Sequence, residues 1–114
     1  MLTEQEMLEI AEKFLRKMEE TSDLELMLYP DEYVIRKPYG NIYRFDSVKH
    51  IETGEFKYHI VGSAPFLVEK EKRRVVTFST ANTLESQLPD YENGTMIPSL
   101  HTYWYPDEDR YSHK

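Results

Sequence analysis

At 114 residues the chain has the length of one ordinary domain, able to fill a single hydrophobic core without covalent staples. Hydrophobic residues make up 39% and charged residues 31%, a globular balance, and the absence of cysteine excludes disulfides and thiolate metal sites. The net charge of −7 resides in residues 1–32, which hold ten acids against three bases, while residues 33–114 hold eleven of each; such a field disfavours nucleic acid and anionic lipid and attracts a basic partner.

The opening Met1-Leu2-Thr3-Glu4-Gln5-Glu6 has neither the basic n-region nor the apolar stretch of a secretory signal. No apolar run approaches the roughly 20 residues of a membrane span, so the expected location is the cytoplasm. Thr3 with Glu6 forms a capping-box pattern that predicts a helix start. Met7, Leu8, Ala11, Phe14, Leu15 and Met18 then share one helical arc, and Glu9–Lys13 and Glu12–Arg16 pair on the outer face. The helix is expected to reach about Glu20 and to break at Thr21-Ser22-Asp23.

Short strand-like segments follow. Leu24–Leu28 stops at Tyr29-Pro30-Asp31, and Tyr33–Lys37 stops at Pro38-Tyr39-Gly40-Asn41. Ile42–Val48 alternates, with Tyr43 and Phe45 on one face and Arg44 and Asp46 on the other, and Glu52-Thr53-Gly54-Glu55 closes that strand or its extension. Residues 56–64 read either as a strand or as a structured connection. Phe66–Val68 and Val75–Phe78 flank Glu69-Lys70-Glu71-Lys72-Arg73-Arg74 as a hairpin with a soluble, charged tip. Asn82 or Thr83 is expected to cap a short helix through Leu88, disturbed by Pro89. One helix, four to five antiparallel strands, a short C-terminal helix and an extended tail from residue 94 make a two-layer α+β domain over residues 1–114.

The usual patterns of catalysis are missing. His50, His59, His101 and His113 include no i,i+4 pair of the helical zinc-site kind. No serine sits in a nucleophile elbow, and the four glycines do not cluster into a phosphate cradle. The expectation is a protein that is not an enzyme, with no cofactor, no metal and no small-molecule substrate.

Residues 43–92 resemble the YrhB-type domain, also called the immunity protein 35 family. The resemblance is carried by Tyr43-Arg44-Phe45, Glu52-Thr53-Gly54 and Gly62-Ser63-Ala64-Pro65-Phe66-Leu67-Val68. It continues through Val75–Phe78, Ser79-Thr80-Ala81, Leu84-Glu85 and Asp90-Tyr91-Glu92. Gly62 permits positive φ at the turn, and Pro65 suits the first residue of a strand. Ile42-Tyr43 stands where the family often has tryptophan, Glu71-Lys72-Arg73-Arg74 where the hairpin tip usually has glycine, and Pro89 within a normally continuous helix. The tail from residue 94 lies outside the resemblance. The resemblance implies an immunity protein that binds and neutralises a cognate bacterial toxin domain, or alternatively a small chaperone-like or stress-related protein that holds unfolded clients.

For a partner site, aromatic anchors with acidic steering residues are the expected composition. Tyr103, Trp104 and Tyr105 beside Asp107, Glu108 and Asp109 match it, and the competing reading folds Trp104 back onto the sheet. Glu19, Glu20 and Asp23 form a second candidate rim.

Overall fold

The computed structural model describes residues 1–60, 64–80 and 82–113. Helix α1 spans Glu4–Glu19, and Thr3 closes the expected capping box with Glu6. Its buried stripe is Met7, Ile10, Ala11, Phe14 and Leu15. Leu8, expected in that arc, is instead 40% exposed, and Ile10 takes its place. The two residues flank the stripe symmetrically at about 80° to either side, so the helical period alone does not choose between them.

Strands β1 (Leu26–Leu28), β2 (Ile35–Lys37), β3 (Gly40–Tyr43) and β4 (Phe45–Ser47) build one interrupted hairpin. β2 pairs with β3 and β1 with β4, both antiparallel. Leu28 faces Phe45 and Ile35 faces Ile42, so four extra residues are looped out of the first arm. The excursion is the Pro30-initiated 3-10 turn Asp31–Tyr33. The alternating run that starts at Ile42 does not continue as a strand to Val48. Ser47 caps helix α2 (Val48–Thr53), accepting from the His50 N–H at 3.0 Å, and Gly54 ends it in the left-handed region at φ 74°. Glu52-Thr53-Gly54 therefore closes a helix, and residues 56–58 form a 3-10 connection. Asp46, on the face opposite Tyr43 and Phe45 in the alternating reading, is buried at 1% exposed.

The hairpin of β5 (Phe66–Glu69) and β6 (Val75–Thr77) forms as expected. Its tip is not wholly solvated, because Arg74 turns inward to Glu69. Thr83 caps α3 (Leu84–Asn93), which runs through Pro89 to a left-handed Gly94 at φ 72°. The tail joins the sheet: β7 (Tyr103–Tyr105) pairs with β6, and β8 (Arg110–Ser112) with β7. Among the described residues the main sheet thus has six antiparallel strands in the order β2-β3-β5-β6-β7-β8, beside the two-stranded β1-β4.

The fold is α+β with a helix on each face of that sheet. On one face α1 packs on Tyr43, Phe66, Val68, Val75 and Trp104. Phe14 meets Phe66 edge-on at 4.9 Å and Trp104 at 5.3 Å between ring centres. On the other face Leu84, with Leu88 and Tyr91 of α3, covers Ile42, Leu67, Val76 and Phe78. The domain therefore has three layers where two were expected. Strands covered on both faces need apolar side chains at successive positions, which is why Phe66-Leu67-Val68 and Val75-Val76 do not alternate. Gly62, Ser63 and Ala81 of the family-like stretches, with the turn expected at Gly62, lie outside the described residues. Among the described residues no helix is long and apolar enough to cross a membrane.

Candidate partner-binding groove

Where the looped-out excursion leaves the hairpin, a groove of about 550 Å³ opens between α1 and the β1–β2 edge. One wall is the α1 row Glu4, Leu8 and Glu12, residues spaced by four and therefore stacked along one side of the helix. The other wall is Met27, Leu28 and Val34, with Tyr43 on the floor. Burial pushes the Tyr43 and Tyr29 hydroxyls above their ordinary pKa, so both stay neutral phenols at physiological pH.

Acids dominate the rim. Arg36 is clamped there between Glu4, at 3.2 Å, and Asp31, at 2.6 Å. Two carboxylates against one guanidinium leave the rim net negative, with Glu12 beyond, 3.5 Å from Arg16. Tyr33, 53% exposed, packs on Tyr29 at 5.4 Å and extends the apolar surface past the rim. The groove offers what an amphipathic basic segment needs: apolar contact at the base and carboxylates at the edges. Leu8 was assignable from its spacing only to the core, and the β1–β2 wall depends on a register shift that the sequence does not announce.

The residues singled out in the sequence fall elsewhere. Trp104 is 1% exposed in the core, and its Nε1–H donates to Asp109 Oδ1 at 2.9 Å. Of the two readings of the tail, packing on the sheet is the one observed. Tyr103 lies against the Arg74 guanidinium at 3.8 Å, and the Tyr105 hydroxyl accepts from Arg74 Nη1 at 3.1 Å. Asp107 pairs with Arg73 at 3.6 Å, Glu108 with Arg110 at 2.6 Å, and Asp109 with Lys17 at 2.8 Å. Glu19 bonds Arg16 at 2.7 Å and the Leu26 N–H at 2.6 Å, tying α1 to β1. Glu20 and Asp23 are exposed. The Lys17–Asp109 pair brings the C-terminal end of α1 beside the β7–β8 turn, so the two acidic sets adjoin one another.

No protein-family model matches the chain, and no solved structure does. The chain is 34% identical over 53 residues to a protein of Escherichia coli K12 described as uncharacterized protein YrhB. The match covers 46% of this chain and 56% of that protein.

Proposed function

We propose that this protein acts by binding another protein, and that its partner is the toxin domain of a bacterial polymorphic toxin, which it neutralises as a cytoplasmic immunity protein. The acid-rimmed apolar groove, set in the acidic N-terminal third, is the observation that carries this reading. Leu8, Met27 and Val34 receive apolar side chains of a basic amphipathic segment, and Glu4, Glu12 and Asp31 receive its lysines or arginines. Glu20 and Asp23 extend the negative field and steer approach. The part-match to YrhB supports a YrhB-like relationship, and the immunity role is the proposal added to it.

A second reading, a small chaperone-like protein, draws on apolar side chains exposed away from the groove: Phe56 at 78%, Ile97 at 92% and Leu100 at 68%. The two differ in stoichiometry and selectivity. Co-expression with the C-terminal domain of a secreted toxin encoded beside this chain is expected to restore cell survival through a tight one-to-one complex. The same protein with Leu8→Asp, folded by circular dichroism, is expected to lose both rescue and binding. Rescue that survives Leu8→Asp would move the interface off the groove. No binding to any neighbouring toxin, with suppression of aggregation of unrelated unfolded proteins, would replace the immunity reading by the second.

A further inference from the structure

Outside the groove, the junction of β4 with α2 gathers side chains of a different chemistry. The carboxyl of Asp46 is almost wholly buried and so needs partners. Its Oδ1 accepts from the backbone N–H of Ser47 at 2.7 Å and of Ile60 at 2.8 Å. Its Oδ2 faces two imidazoles, Nδ1 of His59 at 2.5 Å and Nε2 of His50 at 3.9 Å. One donor atom from each of the three residues falls within 4.8 Å of the others.

The surrounding backbone fixes these rings. Ser47 caps α2 through the His50 N–H and donates its own hydroxyl to the Tyr58 carbonyl at 2.5 Å. Left-handed Gly54 turns the chain so that the Glu55 carbonyl lies 3.0 Å from His50 Nδ1. A carbonyl only accepts, so Nδ1 carries the proton and, in the neutral ring, Nε2 presents a lone pair to Asp46. Two electron-rich atoms then face each other at 3.9 Å with no proton between them, an arrangement that a cation satisfies. An imidazole oriented by a backbone carbonyl on its far nitrogen is also how metal-binding histidines are held. His59 is seated by stacking on Phe56 at 5.4 Å.

We infer that Asp46, His50 and His59 form a binding site for a divalent transition-metal ion of the zinc class. Two neutral imidazoles and one carboxylate give a nitrogen-rich donor set that suits zinc, copper or nickel and disfavours calcium and magnesium, which require oxygen. Three protein ligands leave a coordination position open. His59 also lines a cavity of about 380 Å³ with Arg44, Pro65 and Thr80. On binding, His59 moves its proton from Nδ1 to Nε2, and Nδ1 and Asp46 Oδ2 part to the roughly 3 Å between ligands that metal–ligand bonds near 2 Å impose. The pattern escapes a search for histidine pairs because the ligands come from a strand, a helix's first turn and the residue that follows a 3-10 turn.

The test is calorimetric titration of the chelator-stripped full chain with zinc chloride near neutral pH. One ion per chain is expected, with affinity falling about 10-fold or more in His50→Gln and in His59→Gln. The double variant His101→Gln, His113→Gln is expected to bind as the parent does. Cobalt(II) is expected to give a low-symmetry visible spectrum that His50→Gln abolishes. Both histidines are partly exposed, so these variants are expected to keep the parent's circular dichroism, which the less tolerant Asp46→Asn need not. Absence of binding to the parent, or binding unchanged by either His50→Gln or His59→Gln, overturns the site.

Discussion

At the scale of single residues, Arg74 is the clearest case of a charge that the fold has turned inward. It forms an ion pair with Glu69, each side chain being 8% exposed, and Glu69 also accepts from the Tyr91 hydroxyl. Tyr103 covers the guanidinium face, and Tyr105 takes a further N–H. Removing one member of such a pair strands the other charge, at about 3–5 kcal/mol. Arg74→Met is accordingly expected to destabilise by about that amount in urea unfolding, whereas Tyr91→Phe, which leaves the pair intact, costs about 1 kcal/mol. Asp109 makes a second prediction. The hydrogen bond from Lys17 and then that from Trp104 hold its carboxyl below the usual value of 3.8. The contribution of a depressed carboxyl is complete above the unfolded value and is lost as pH falls through the folded one. Trp104 emission is therefore expected to shift on acidification below pH about 4, and Asp109→Asn, which keeps a neutral acceptor in the left-handed turn position, is expected to remove that step.

At the scale of elements, the seam between β3 and β5 depends on a missing side chain. A Cβ on Gly40 would sit 2.1 Å from the Val68 carbonyl oxygen, a backbone atom that cannot swing aside. Gly40→Ala is expected to destabilise by about 1–3 kcal/mol, read as a lower urea midpoint. The elements differ in how plainly the sequence announced them. The capping box and the apolar arc mark α1 because a cap and a 3.6-residue period act locally. Ser47 is as good a cap, yet α2 is missed because Val48 and Ile51 continue the strand-like composition before it. Pro89 removes one helical hydrogen bond, so it reads as a terminator. The Thr83 cap, the packing of Leu84 and Tyr91 and the Gly94 terminus carry α3 through it.

At the scale of the whole molecule, fold class was legible because alternation of apolar segments with turn residues is written along the chain. Sheet size was not. Tyr103-Trp104-Tyr105 beside three acids has the composition of an exposed binding patch and equally of a strand ending in a turn. Only pairing with β6 decides between them, and that pairing joins residues far apart in sequence. The candidate groove was illegible for the same reason, since its two walls meet through a four-residue shift in strand register. The histidine and carboxylate cluster is an extreme case, with each residue unremarkable in its own segment.

The late position of β7 has a consequence for biosynthesis. Trp104, which Phe14 of α1 packs against, is made after every other residue of the inner core. Until residues 103–112 have left the ribosome, β6 presents an unpaired edge and α1 covers an unfilled hollow. Nascent chains are thus exposed to one another along a sticky strand during synthesis. A premature stop near residue 100 would yield an insoluble product rather than a shortened domain, because closure of this sheet waits on residues 103–112.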